Sequence, residues 1–249
     1  MTWSTGNTTT PRLFVTSPLL AGAEIATSAE QAHYLGTVLR RATGDPVRLF
    51  NGSDGEWIAT STESRVTRRG ITLTVRERTR AQAPEAGPWL VFALLKRDAT
   101  DLVVRQAVEL GASRLLPVIT ERTNAARVNE GRLRAIALEA AEQSERLTIP
   151  TITGPQRLDS LLTAWPEGRR LFAAFERSDA RAPEPGHEDA ALLIGPEGGF
   201  TPAEREMLRR LNFVHPVSLG PFVLRAETAA AAGLALLLAM GWAEYVGST

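Results

Sequence analysis

Residues 192–233 read LLIGPEGGFTPAEREMLRRLNFVHPVSLGPFVLRAETAAAAG, and this stretch decides the fold. It contains two glycine-bearing turns, Gly195–Gly199 and Leu219–Pro221. Each turn follows a short apolar strand and precedes a helix, which is typical of an α/β sheet. In such sheets ligands bind beyond the carboxyl ends of the strands. The two turns therefore predict a ligand site built mainly from main-chain groups.

The same alternation of strand and helix extends back to about residue 89. Because the strands are apolar throughout, the sequence predicts a mostly parallel sheet covered on both faces. The predicted strands are Trp89–Leu95, Arg114–Ile119, Leu171–Phe175, Ala190–Ile194 and Val217–Leu219. The predicted helices are Thr100–Leu110, Asn129–Arg146, Thr201–Leu211 and Ala226–Trp242.

The first third of the chain has a different pattern. Asn51–Gly55 lies between two short apolar runs, which is a hairpin signature. Ile71–Arg76 alternates apolar and polar residues, as a half-buried strand does. One helix is expected over Ser28–Arg41, with Ser28 as its N-cap. We therefore predict two domains, a small β-barrel-like domain over residues 1–82 and an α/β domain over residues 83–249.

Composition excludes several classes of protein. There is no cysteine, so disulfides, thiolate zinc sites and a cysteine nucleophile are ruled out. His187 and His215 have no partners at metal-ligand spacing, and we predict no metal site. The apolar run Ala229–Trp242 is too short for a membrane span, which needs about 20 residues. No secretory signal opens the sequence. A cytoplasmic protein without a membrane segment is expected.

The charges balance overall, with 28 basic and 28 acidic residues, but they are unevenly distributed. Residues 1–80 contain ten arginines and seven acidic residues, and Lys96 is the only lysine in the chain. Arginine binds phosphate in a bidentate way, although a general arginine bias accounts for the composition equally well. The candidate phosphate-binding residues are His33, Arg40 and Arg41 in the first domain, and Lys96 and Arg97 after the first apolar strand of the second.

The turn Gly195–Gly199 differs from known phosphate loops. It lacks the lysine of a P-loop, and Pro196 removes a backbone donor that a phosphate would use. A nucleoside with a positive centre fits better, with Glu197 contributing negative charge. The alternative is a tight turn without a ligand.

Two further polar clusters are ambiguous. Arg225, Glu227 and Thr228 open an otherwise apolar helix. Simple capping explains the last two, but arginine is unfavourable at a helix N-terminus and therefore suggests a nearby anion or substrate. On the long helix Glu139, Gln143 and Arg146 share a face, which is either a wall of the site or solvated surface.

Taken together, these residues resemble one family, the 16S ribosomal RNA uridine-N3 methyltransferases of the SPOUT superfamily. The resemblance covers nearly the whole chain, and its last two segments are specific. The matching segments are HYLGTVLR (33–40), Gly44–Asp45, Leu49–Gly52, Glu109–Gly111, Glu139–Ser144 with Arg146 and Pro150, IGPEGGF (194–200), and Leu219–Gly220 with LRAETA (224–229). Two positions depart from the family pattern: Phe222 and Gln106 stand where the family often has arginine and lysine.

The resemblance implies a PUA-like RNA-binding domain with an N-terminal extension, followed by a SPOUT domain with a deep trefoil knot. It also implies a homodimer, S-adenosyl-L-methionine as methyl donor, and 16S RNA of the small ribosomal subunit as substrate. Arg225 would stabilise the deprotonated uracil, and Glu227, or else Glu197, would accept its proton. A flipped or single-stranded uridine is expected.

The site residues follow from the same comparison. Those implied to bind the cofactor are Leu193, Ile194, Gly195, Pro196, Glu197, Gly198, Leu219, Gly220, Leu224, Arg225 and Thr228. Those expected to bind RNA are Arg12, His33, Arg40, Arg41, Lys96, Arg97 and Arg146. The alternatives are methylation of the ribose 2′-hydroxyl, a non-catalytic RNA-binding factor for ribosome assembly, and a nucleotide-binding protein.

Overall fold

The structure is a computed structural model that describes residues 10–61, 70–124, 127–176, 179–183 and 189–247, with side chains up to residue 239. The chain divides into two compact units. The first comprises Met1–Pro84 and Ala141–Thr148, and the second comprises Glu85–Ala140 and Ile149–Thr249. The sequence suggested a single boundary after residue 82. The short segment Ala141–Thr148 belongs to the first unit, although its first residues are the end of a helix, Glu130–Gln143, that begins in the second.

The first unit is built on a five-stranded sheet in the order β1-β3-β4-β5-β2. Its neighbouring strands are antiparallel, except that β1 and β3 are parallel. The buried face contains aliphatic residues from all five strands, such as Leu13, Leu49 and Leu73. The strands are β1 (Arg12–Phe14), β2 (Glu24–Ala26), β3 (Pro46–Phe50), β4 (Glu56–Ser61) and β5 (Thr72–Arg80). The predicted hairpin is thus confirmed as β3 and β4.

The helix predicted over Ser28–Arg41 is shorter than expected. Ser28 caps α1 (Ala29–His33) in a reciprocal capping box with Gln31, as the sequence indicated. The chain then continues as a π-helical turn, Tyr34–Val38. That turn contains a glycine and two β-branched residues, which are weak helix formers. Shortly after this turn, Arg40 adopts the left-handed conformation, with a φ of 52°.

The second unit contains a sheet whose strand pairs are all parallel, in the order β12-β10-β11-β6-β7-β8, with β9 pairing β7 farther along. The predicted α/β class is therefore confirmed. The strands are β6 (Trp89–Ala93), β7 (Arg114–Ile119), β8 (Thr151–Ile152), β9 (Gln156–Arg157), β10 (Leu171–Ala174), β11 (Ala191–Ile194) and β12 (Val214–Val217). The helices are α2 (Arg97–Glu109), α3 (Glu130–Gln143), α4 (Leu158–Thr163), α5 (Pro202–Arg209) and α6 (Ala226–Gly247).

Some details of this sheet differ from the sequence prediction. The last strand ends at Val217, whereas the prediction began there. The two-residue strands β8 and β9 and the short helix α4 were not predicted, because segments of that length carry no periodic pattern. The trefoil knot stays a prediction. Among the described residues, no helix combines the length and apolar character that crossing a membrane requires.

The helix α6 approaches β11 unusually closely at Gly233. A methyl group placed there would lie 2.6 Å from Cδ2 of Leu192, whose side chain is fully buried in β11. Glycine inside a helix costs about 1 kcal/mol relative to alanine. Its presence here is therefore explained by close packing against the strand that leads into the Gly195 turn.

Replacing Gly233 with alanine is expected to lower the free energy of unfolding by about 1 kcal/mol, because overpacking costs about 1–3 kcal/mol and outweighs the gain in helix propensity. Chemical denaturation measures this change. Gly131→Ala in α3 is the control, since its methyl group would meet only Asn129 Oδ1 at 3.4 Å. A stabilised Gly233→Ala protein would contradict the packing argument.

Candidate functional site

Three adjacent strands of the second unit end at one edge of the sheet. Because β12, β10 and β11 are parallel neighbours, their carboxyl ends lie side by side. A cavity of about 250 Å³ lies among the loops that follow them. Its lining comprises Ala174, Phe175, Glu176, Ile194, Gly195, Pro196, Glu197, Gly199, Phe200, Arg205, Ser218, Leu219, Gly220, Phe222, Val223, Leu224, Arg225, Ala226 and Ala229. This is the position predicted for a ligand site.

The first turn is tightly packed on itself. A methyl group on Gly195 would lie 3.0 Å from the ring of Phe200. Gly199 has a φ of +65°, and its N–H donates to the Pro196 carbonyl at 2.8 Å. The turn leads into α5, which Thr201 and Glu204 cap reciprocally as the sequence predicted. These glycines therefore serve the shape of the turn as well as the backbone surface of the cavity.

Two main-chain N–H groups at the second turn have no hydrogen-bond acceptor among the described residues. Gly220 has a φ of +125°, and a methyl group there would meet no atom within 4 Å. Within the described residues, the N–H groups of Leu219 and Leu224 have no hydrogen-bond acceptor. Main-chain donors that face a cavity without protein partners are available to a ligand.

Charged side chains of both signs line the cavity. Arg205 donates to Glu176 at 3.3 Å and lies over the ring of Phe175. In contrast, neither Glu197 nor Arg225 forms an ion pair within the described part of the chain. The cavity therefore offers one unpaired carboxylate and one unpaired guanidinium, which suits a ligand or substrate pair that carries both positive and negative groups.

Most residues predicted to bind a cofactor come together here. The lining includes Ile194, Gly195, Pro196, Glu197, Leu219, Gly220, Leu224 and Arg225. Leu193 does not contribute, because its side chain is fully buried in the core of the sheet. Gly198, Glu227 and Thr228 are absent from the described lining.

The middle wall of the cavity contains residues that were not predicted from the sequence. Phe175 and Glu176 follow β10, and Arg205 lies on α5. Glu176 also approaches Gly199 so closely that a methyl group there would lie 2.7 Å from its Oε1. The apolar strand before Glu176 was predicted, so a charged residue directly after it was the available signal.

Two arginines expected to bind RNA, Arg12 and Arg146, are buried in the structure, which disfavours that role for both. The side chain of Arg12 is 3% exposed, and it donates to Glu56 at 2.6 Å and to the carbonyl of Ala141 at 2.8 Å. A third hydrogen bond joins it to the carbonyl of Arg146. Burial lowers the pKa of Arg12, and the Glu56 carboxylate opposes that shift. All three guanidinium nitrogens of Arg12 thus donate to protein acceptors, and the buried side chain is not accessible to an RNA phosphate.

Arg146 is itself only 8% exposed. It also lies beyond α3, which ends at Gln143, so it does not share a helical face with Glu139 as the sequence suggested. The left-handed conformation of Glu145, with φ at 58°, turns the chain just before it.

The remaining basic residues are placed differently. His33 and Arg40 are exposed in the first unit, and Arg41 is half-buried. Lys96 and Arg97 are exposed after β6 in the second unit. Their contact with RNA stays a prediction. The described residues contain no group of three or more histidine and acidic side chains arranged to hold a metal ion.

Fold and site together define a class of protein. Residues 85–238 match the family model described as an RNA methyltransferase domain, and residues 27–63 match an RNA methyltransferase PUA domain. The chain therefore belongs to the RNA methyltransferase family.

Individual relatives agree with this assignment. Ribosomal RNA small subunit methyltransferase E of Rickettsia conorii is 31% identical, over 92% of this chain and 96% of the relative. The protein of the same name from Synechocystis is 31% identical, over 92% of this chain and 77% of the relative.

Two solved structures are similar throughout. A Legionella pneumophila protein in complex with the bound cofactor S-adenosyl-L-methionine has a TM-score of 0.78 and 28% identity, covering 93% of this chain and 98% of that one. Ribosomal RNA small subunit methyltransferase E from Neisseria gonorrhoeae, bound to S-adenosyl methionine, has a TM-score of 0.77 and 26% identity, covering 91% and 95%.

Proposed function

We propose that this protein transfers a methyl group from S-adenosyl-L-methionine to N3 of a uridine in 16S RNA of the small ribosomal subunit. The observation that carries the proposal is the cavity at the carboxyl ends of β12, β10 and β11, formed by two glycine turns in a chain of the RNA methyltransferase family. Similar chains that contain the cofactor, and relatives named for the small-subunit RNA, support both parts of it.

The residues of the cavity fit this cofactor. Its sulfonium is positively charged, and Glu197 supplies a carboxylate without an ion-pair partner among the described residues. Its base and ribose need hydrogen-bonding groups, which the main-chain N–H groups of Leu219 and Leu224 provide. Ile194 and Leu224 add apolar surface. A phosphate-bearing cofactor fits less well, because the Gly195–Gly199 turn has no lysine and its Pro196 lacks an N–H.

The remaining chemistry is the removal of the uracil N3 proton. When bound, S-adenosyl-L-methionine supplies the electrophilic methyl group. Arg225 lines the cavity and is the residue that we propose to stabilise negative charge on the deprotonated uracil. Glu227 and Glu197 are the candidate proton acceptors, and Glu197 is favoured because it lines the cavity. Holding both reactants in one cavity contributes through proximity.

The rest of the proposal concerns RNA and assembly. His33, Arg40 and Arg41 in the first unit contact the RNA backbone, and the target uridine is flipped out or single-stranded. The protein acts in the cytoplasm as a homodimer, and the cofactor turns are part of a trefoil knot.

The test combines binding and methylation. Calorimetry with S-adenosyl-L-methionine should show saturable binding. Incubation with labelled cofactor and either 30S subunits or naked 16S RNA, followed by nucleoside digestion and mass spectrometry, should yield 3-methyluridine. A labelled 2′-O-methylribose would contradict the base specificity. The absence of cofactor binding would instead indicate a non-catalytic RNA-binding factor.

A further inference from the structure

A second cavity in the second unit is not used by the mechanism above. It encloses about 370 Å³ where β6 ends and where α2 and α3 begin. Its polar lining comprises Lys96, Arg97, Thr100, Asp101, Arg127, Asn129 and Arg132. Four of these side chains are cationic and one is a carboxylate, so the cavity carries an excess of positive charge.

Little of that charge is neutralised by the protein. Arg132 is paired with Asp101, but its Nη1 is buried without a hydrogen-bond partner in the described chain. The side chains of Lys96, Arg97 and Arg127 form no hydrogen bond or ion pair with the described residues. A buried guanidinium nitrogen without an acceptor is costly, and an anion in the cavity would remove that cost.

The ends of the helices around the cavity add to its positive electrostatic potential. The cavity contains the N-terminus of α2, where Lys96 is the N-cap and makes no side-chain capping hydrogen bond. At the start of α3, the side-chain Oδ1 of Asn129 accepts a hydrogen bond from the main-chain N–H of Arg132 at 3.0 Å. The N-terminal end of a helix carries partial positive charge, so lysine is unfavourable there unless an anion is near. The only lysine of the chain occupies this position.

The sheet relates this cavity to the proposed cofactor site. The strands β6 and β11 are parallel neighbours, with Phe92 paired to Ile194. Their carboxyl ends therefore lie at the same edge, about one strand spacing of 4.8 Å apart. One cavity follows β11 and the other follows β6, so both lie at the carboxyl edge of the same sheet.

We propose that the cavity of Lys96, Arg97, Arg127 and Arg132 binds a phosphodiester group of the substrate RNA, next to the nucleotide that is methylated. The proposal rests on the proposed function and deepens it by assigning a phosphate subsite in the catalytic unit. Arginine suits the planar geometry of phosphate and lysine supplies a point charge. Asp101 holds Arg132 in place and thereby orients it toward the cavity.

A triple variant of the full-length protein tests the proposal. Lys96→Gln, Arg97→Gln and Arg127→Gln together remove the unpaired charges. The binding of 16S RNA is measured over a range of KCl concentrations for this variant and the wild type. Because the cavity binds one phosphodiester group of single-stranded RNA, its loss in the triple variant is expected to reduce the slope of log K against log salt by about 0.7. Its affinity for S-adenosyl-L-methionine should not change.

The matched control removes the same charge elsewhere in the unit. Arg157→Gln, Arg170→Gln and Arg210→Gln replace three exposed arginines outside both cavities. Thermal melting of both variants checks that they fold. A salt slope that falls in the cavity variant but not in the control supports the subsite. If the salt slope of RNA binding is the same in the cavity variant and the control variant, the proposed phosphate subsite is overturned.

Two further outcomes are distinguishable. If the wild type fails to methylate RNA, the proposed function falls, but the comparison of salt slopes still tests whether the cavity binds RNA. Inorganic phosphate is the probe for a free anion. If calorimetry detects phosphate binding that is lost in the cavity variant while the RNA slope stays unchanged, the cavity is a small-anion site and the assignment to RNA is overturned.

Discussion

Replacing Arg225 with alanine is expected to lower the rate of methyl transfer to RNA about 100- to 1000-fold. This is the usual effect of removing one group that stabilises charge developing in a transition state. Arg225 lines the cavity, has no ion-pair partner among the described residues and lies just before α6, a position where a cation is unfavourable for the helix itself. Single-turnover kinetics with labelled cofactor and 30S subunits measure the effect.

The affinity for the cofactor separates this role from simple loss of the site. Calorimetry should show that Arg225→Ala binds S-adenosyl-L-methionine within a few-fold of the wild type. Arg225→Lys should recover part of the rate, because it keeps the charge but not the planar geometry. Arg210→Ala is the control, since that side chain is 76% exposed and outside the cavity. A wild-type rate in Arg225→Ala would exclude Arg225 from the mechanism.

Replacing Arg12 with alanine is expected to lower the free energy of unfolding by about 3–5 kcal/mol, the usual result of removing one partner of a buried ion pair. Glu56 is 2% exposed at its side chain, and Arg12 is its closest cationic partner at 2.6 Å, with Arg48 and Arg80 near 4 Å. The change also removes the donors to the carbonyls of Ala141 and Arg146. Urea denaturation measures the loss.

Two comparisons identify its cause. Arg134→Ala breaks an exposed pair with Glu130 and should cost only about 0.3–0.5 kcal/mol. Combining Arg12→Met with Glu56→Leu should recover stability relative to Arg12→Ala, because no unpaired carboxylate is left buried. If Arg12→Ala lost no more stability than Arg134→Ala, the buried pair would not stabilise the first unit.

The sequence predicted the fold wherever pattern and length were sufficient. Continuous apolar runs identified β6, β7, β10 and β11, and the Asn51–Gly55 turn identified the hairpin of β3 and β4. The attachment of Ala141–Thr148 to the first unit was not predictable, because it depends on tertiary acceptors for Arg12 rather than on any local preference. The π-helical turn after His33 likewise has no periodicity of its own.

Only those parts of the site that have a local sequence pattern could be predicted. The glycine turns after β11 and β12 are visible in the sequence, and both line the cavity. Glu176 and Arg205 were missed because their contribution follows from the order β12-β10-β11, which places β10 between the other two. The order of strands in a sheet is a long-range property. The burial of Arg12 and Arg146 was not predicted because arginine is usually exposed, whereas here it is buried with partners far along the chain.

The cavity walls follow one another late in the chain, from Ala174 to Ala229, and this order has a consequence during synthesis on the ribosome. In the nascent chain the wall that follows β10 is synthesised first. The Gly195 turn is synthesised next, and the Gly220 turn last. At about 5–20 residues per second, the first and last walls are separated by several seconds of translation. Cofactor binding therefore cannot stabilise the nascent protein until the start of its final helix has emerged, and the growing chain must reach that point without help from the cofactor.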